Sequence, residues 1–176
     1  MRHVRNILGI PMTGWLCAGG SGLILALGFA PFSQPVAGWI GLIPIAYYGQ
    51  RQQPDLRDSL VLGWFFGFSH FLTSLSWLQT VTISGWAVLS AYLAVYPALW
   101  FVLWVRFSGS DPERMSSIGN IRHAFLGASA WAVTEWLRGV VFSGFGWNSL
   151  GVSQGDLLLV AQVADLGGVE IGRAHV

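Results

Sequence analysis

Charge in this chain is segregated. Long apolar segments that carry none alternate with short polar connections that hold almost all of it. The run Leu60–Leu78 has no formal charge, and Ala87–Val105 repeats the pattern. A segment of about 20 apolar residues is long enough to cross the hydrocarbon of a bilayer as a helix. Only 10% of all residues are charged and 53% are hydrophobic, against roughly 25% charged in soluble domains. The expected fold is therefore all-α, a polytopic transmembrane helical bundle of about five complete spans plus the start of a sixth.

The chain begins with Arg2 and Arg5 ahead of an apolar run that opens at Ile7. That start imitates a signal peptide, and Cys17 invites a lipoprotein reading. Cleavage needs small residues before the cut, whereas Trp15 and Leu16 stand there. An uncleaved first helix over Ile7–Ala30 is expected. Gly19, Gly20 and Gly22 lie inside it with no preceding strand, so close helix packing explains them better than a phosphate loop. Pro31 and Pro35 bracket a turn, and Val36–Gly49 is a short second crossing interrupted by Pro44, or a re-entrant segment. Arg51–Ser59 is a water-facing loop.

Leu60–Leu78 forms the third helix. Gly63 and Gly67 make a small-xxx-small pair for close approach by a neighbour. His70, at its centre, has no acidic residue one helical turn away and reads as a hydrogen-bonded structural histidine. Thr80–Gly85 is a turn flanked by Trp77 and Trp86, at interfacial belt positions. Ala87–Val105 is the fourth helix, kinked by Pro97. Arg106–His123 is the longest polar segment, and Ala124–Phe142 is the fifth helix. Leu157–Val163 is apolar but brief before Asp165, the start of a sixth.

All nine basic residues are arginine. Arg2, Arg5, Arg51, Arg57, Arg106, Arg114 and Arg122 fall on the N-terminus and on loops 51–59 and 106–123, and none falls near 31–37, 80–86 or 143–156. This asymmetry puts the N-terminus in the cytoplasm and the 143–156 loop outside. No arginine run interleaves with aromatics as nucleic-acid binding would require. One cysteine and four scattered histidines offer no metal set, and no cofactor is expected.

The chemistry concentrates between Thr134 and Gln154. Glu135 and Arg138, three apart, share a helix face at the end of an apolar segment. Unpaired ionisable groups are costly in a bilayer, so the two are expected to neutralise each other and to face protein or water. Trp131, Glu135-Trp136-Leu137-Arg138-Gly139, Gly144-Phe145-Gly146-Trp147, Ser153-Gln154 and Gly168-Val169 resemble the membrane domain of apolipoprotein N-acyltransferases. Phe29-Ala30-Pro31-Phe32, Gly63-Trp64, Ser76-Trp77 and Ala91-Tyr92-Leu93-Ala94 fit the same pattern, so the similarity runs from about residue 20 to 169. Gly146 stands where that family usually has proline, and Val152 where it usually has an aromatic residue.

The resemblance implies a bacterial inner-membrane enzyme that adds the last acyl chain to lipoproteins. Its partners are a phospholipid acyl donor and a diacylated apolipoprotein. A nitrilase-like periplasmic domain would carry a Glu-Lys-Cys set whose cysteine takes the acyl group. This chain has no lysine, and Cys17 lies in the first helix, so no catalytic residue is assigned and the fragment is expected to be inactive. The candidate substrate-binding residues are Trp147, Glu135, Arg138 and Gln154. Trp147 is either a substrate contact or an interfacial belt residue. Glu135 and Arg138 are read as an ion pair that positions the loop, with direct contact, such as guanidinium to lipid phosphate, as the alternative. From a different functional class, a small membrane transporter or channel subunit built on that pair is the competing reading. Such a protein would be expected to show internal repeats, and none is found. The family pattern continues from Gly168-Val169 into a long apolar helix, whereas Arg173 and His175 interrupt it. Residues 171–176 match the translation of a common sequencing adapter. Native sequence is thus expected over 1–169, with 170–176 an assembly artefact.

Overall fold

A computed structural model describes residues 9–107 and 117–157. The N-terminal arginines, residues 108–116 of the 106–123 connection, the start of a sixth helix and residues 170–176 lie outside the described residues. Within them the chain is all-α, built from α1 (Met12–Ala26), α2 (Pro35–Ile40), α3 (Ile43–Gln52), α4 (Leu56–Ser74), α5 (Ile83–Leu93), α6 (Val95–Phe107) and α7 (Ser117–Val140). Short 3-10 turns lie at Ser76–Thr80, between α4 and α5, and after α7 at Val141–Ser143 and Leu150–Gln154.

α4 is the central post, with α1 and α6 packed along it. The contacts are made by missing side chains. A Cβ on Gly22 would strike the main chain of α4 at Phe66 and His70, and one on Gly19 would touch the Phe65 ring at 3.0 Å. On the other side of α4, Gly63 and Gly67 sit against the Cα atoms of Ala98 and Ala94, where an added Cβ would lie 2.8 and 2.9 Å away. The Gly63–Gly67 pair therefore does admit a second helix, which is α6. Phe66, Phe101, Leu62 and Ile45 fill the remaining space and are fully buried.

The second apolar segment departs from a single crossing. It breaks at Gly41–Leu42 into α2 and α3, since Pro44 lacks the N–H that a continuous helix needs there. The first turn of α3 is instead supported from α1, where Ser21 Oγ accepts from the Ile45 N–H at 3.0 Å. The fourth segment also divides. Pro97 cannot donate to the Leu93 carbonyl, and the helix is interrupted at Ala94 between α5 and α6. Taken together, Ile83–Phe107 is the one helical stretch among the described residues that is long and apolar enough by itself to cross a membrane.

The largest correction concerns the 106–123 loop. Helix α7 already begins at Ser117, so Arg122 and His123 are helical. Its buried face is His123, Gly127, Ala130, Thr134, Glu135 and Arg138, a stripe of small and polar residues that hydropathy does not mark. His123 stacks on Trp104 at 4.0 Å between ring centroids, and Trp100 Nε1 donates to the Gly127 carbonyl at 3.1 Å. The opposite face shows Phe125, Val133, Trp136 and Val140 to the outside. α7 is thus apolar outward and polar inward, the reverse of a soluble amphipathic helix.

The two ends of the bundle differ. One gathers α2, the 76–80 turn and residues 142–154, through the Gln154–Pro35 hydrogen bond and the Trp77–Trp147 stack. At the other, Gln53, Asp55 and Ser59 line a hollow with Val102 and Arg106. Arg106 stands at this second end, with Arg51 in the last turn of α3 and Arg57 in the first turn of α4 on either side of Gln53 and Asp55.

Candidate functional site

The site begins where α7 stops. After Val140 the chain doubles back, and the Phe145 N–H donates to the Arg138 carbonyl at 2.8 Å. The reversal needs left-handed backbone at Phe142 (φ 49) and at Gly144 (φ 77). Gly144 admits no other residue comfortably, because its φ is unfavourable for a side chain and a Cβ there would collide with the Gly139 carbonyl. Phe142 is thrown outward, 84% exposed, with its ring edge-on to Tyr92.

The returning loop is held from α7. Arg138 Nη2 lies 3.5 Å from Glu135 Oε1, and both side chains are buried. Arg138 Nη1 donates to the Trp147 carbonyl, and its guanidinium lies over the Phe71 ring at 5.4 Å. Glu135 Oε1 also accepts from the Leu150 N–H at 2.8 Å. Leu150 opens the 3-10 turn, and Ser149 before it supplies no side-chain cap. A carboxylate from another helix therefore caps that turn, where negative charge is favoured. The pair is held at both charges by the loop's main chain, so neither is left stranded in a low-dielectric interior.

The far end of the loop is tied to α2. Gln154 Nε2 donates to the Pro35 carbonyl at 3.0 Å, and Gln154 Oε1 accepts from Trp39 Nε1 at 2.7 Å. Gly38 makes room, since a Cβ there would lie 2.5 Å from Ser153 Oγ and 2.6 Å from Gln154 Nε2. Between these two anchors Trp147 stands 59% exposed, stacked on Trp77 at 5.2 Å.

Of the sequence-derived residues, the structure brings Glu135, Arg138 and Trp147 into one cluster, while Gln154 lies at the second anchor. Trp77, expected only at an interfacial belt position, belongs to the same assembly, and so do Trp39, Phe71 and Asn148, which went unmarked. Asn148 carried a legible signal, because asparagine is among the few residues that tolerate the left-handed backbone it adopts here (φ 56). Among the described residues, no three His, Cys, Asp or Glu side chains gather as a metal cluster.

The arrangement defines a class: an all-α domain whose last described helix ends in a buried ion pair that fixes an aromatic loop. A family model described as the apolipoprotein N-acyltransferase N-terminal domain matches residues 21–176, and the chain belongs to the apolipoprotein N-acyltransferase family. It is 34% identical over 165 residues to an apolipoprotein N-acyltransferase of Vibrio vulnificus, covering 85% of this chain and 30% of that protein. Against the Ralstonia nicotianae apolipoprotein N-acyltransferase it is 33% identical over 148 residues, covering 77% and 27% respectively. For that of Vibrio parahaemolyticus the identity is 35% over 170 residues, covering 89% and 31%. The chain thus spans about 30% of the length of these curated relatives.

Proposed function

We propose that this chain is the membrane part of an enzyme that transfers an acyl chain from a phospholipid to the N-terminal cysteine of a diacylated apolipoprotein. It sits in the bacterial inner membrane and crosses it about five times. The reversed polarity of α7 supports membrane embedding, since large apolar side chains facing outward suit lipid while ionisable groups face the interior. Split crossings at Gly41–Leu42 and Ala94 are compatible with this, because both breaks lie against protein.

The observation that carries the reading is the held aromatic loop. Glu135, Arg138 and Gln154 are spent on anchoring and are almost fully buried, so their part is to position. Trp147 is what they present, and we assign it the substrate contact. The test is acyl transfer from labelled phospholipid to a diacylated lipopeptide by the complete reading frame. Trp147→Ala is expected to lower the transfer rate by about 2- to 10-fold, the worth of one aromatic contact, with Trp147→Phe intermediate. Unchanged transfer in Trp147→Ala would remove Trp147 from the reaction.

The N-terminus and the arginine-bearing end are placed in the cytoplasm, and the 143–156 loop outside. Single cysteines at Gln52 and Ser84, both exposed, report the two ends in a Cys17→Ala background. In intact cells with a permeable outer membrane, an impermeant thiol reagent is expected to label Ser84→Cys. It should reach Gln52→Cys only after the inner membrane is opened. The opposite pattern inverts the topology.

A further inference from the structure

Six buried side-chain nitrogens and oxygens among the described residues lack a hydrogen-bond partner, and three of them come together. His70 Nδ1, Trp131 Nε1 and Asn148 Nδ2 belong to residues that line a single cavity between α4, α7 and the 144–154 loop. Thr134, Glu135, Arg138 and Tyr96 complete its polar wall. Orphaned polar atoms cluster rarely in folded proteins, and each calls for a partner.

We propose that this cavity is a binding site for one ordered water molecule. The three atoms suit it in number and kind. In the neutral His70 ring protonated at Nε2, Nδ1 is a lone-pair acceptor. Trp131 Nε1 and Asn148 Nδ2 are donors. A water molecule donates to Nδ1 and accepts from the other two, which is the usual set of about three bonds for a buried water. Its second hydrogen is left for the Glu135 carboxylate or the Tyr96 hydroxyl. Space selects the ligand as well. The volume open to the centre of a water-sized sphere is about 10 Å³, enough for one water and too small for a phosphate or any lipid headgroup.

The water joins three parts of the protein that no direct bond between these side chains connects: α4 at His70, α7 at Trp131, and the loop at Asn148. It acts next to the Arg138–Trp147 bond, so the residue that follows Trp147 is fixed by solvent rather than by protein. This inference concerns the fold of the loop and stands apart from the acyl-transfer reading.

Two measurements on the whole chain test it. A density map of the unmodified protein at a resolution that shows ordered water is expected to contain a peak within hydrogen-bond distance of His70 Nδ1 and Asn148 Nδ2. A dry cavity, or a direct His70–Asn148 hydrogen bond, overturns the proposal. The second is a double-mutant cycle on thermal unfolding in detergent. Asn148→Gly deletes the amide and keeps the left-handed backbone accessible, while His70→Phe deletes the acceptor. Each single is expected to lower the midpoint by a few degrees, and the double by little more than the larger single. Strictly additive shifts mean that the two side chains share no ligand. Should His70→Phe fail to fold, Trp131→Phe takes its place in the cycle with the same expectation.

Discussion

Replacing Glu135 by alanine is expected to destabilise the chain by about 3–5 kcal/mol, the cost of breaking a buried ion pair by removing one partner. The variant takes the Glu135 carboxylate from beside the Arg138 guanidinium and removes the acceptor of the Leu150 N–H, two losses on opposite edges of the loop. Glu135→Ala combined with Arg138→Ala is expected to be milder than Glu135→Ala alone, because no buried charge is then stranded. It still gives up the hydrogen bonds to Leu150 and Trp147. Unfolding in detergent, measured for both singles and the double, should return a coupling of about 0.5–3 kcal/mol. Additive losses would mean that the two side chains act independently despite their proximity.

The second large effect separates two glycines in one helix. Gly22→Ala is expected to cost about 1–3 kcal/mol, as overpacking does, because its Cβ would meet the Phe66 carbonyl at 2.5 Å and the His70 nitrogen at 2.9 Å. Neither is a flexible side-chain tip, so the whole α1–α4 seam must open. Gly20→Ala is expected to stabilise by about 0.5–1 kcal/mol, since nothing lies within 4 Å of its Cβ and alanine is the better helix former. Unfolding midpoints of the two variants should move in opposite directions. Equal shifts would show that α1 does not approach α4 through Gly22.

What could be read from the sequence depended on whether the signal was local. The uncharged run Leu60–Leu78 supplied most of α4, which begins earlier, at Leu56 inside the expected 51–59 loop, and stops at Ser74. Both the run and the Gly63–Gly67 spacing, which marked a real contact, rest on periodicity within one element. The Glu135–Arg138 pair was legible for the same reason. The start of α7 was not, since its buried face is small and polar and hydropathy counts such residues as loop. The two helix breaks were signalled by Pro44 and Pro97, but whether a proline kinks or divides a helix depends on what accepts the freed groups, as Ser21 does. The loop anchors were least visible. Arg138 and Glu135 bond main-chain atoms, which leave no mark in a sequence, and Trp39 meets Gln154 across 115 positions.

The way the loop is fastened decides how its sequence is free to vary. On the loop's side, the α7 anchor takes hold of a carbonyl at Trp147 and N–H groups at Phe145 and Leu150. Every amino acid except proline offers those atoms, so the fastening is blind to the side chains it carries. Gly146 and Val152 take part in none of these bonds. The scaffold behaves as a mount whose fittings grip the frame and not the instrument, which lets the presented surface be rewritten while its position is kept. Gly144, Asn148 and Gln154 are the exceptions, the first for its backbone and the other two for their amides, and they mark where that freedom ends.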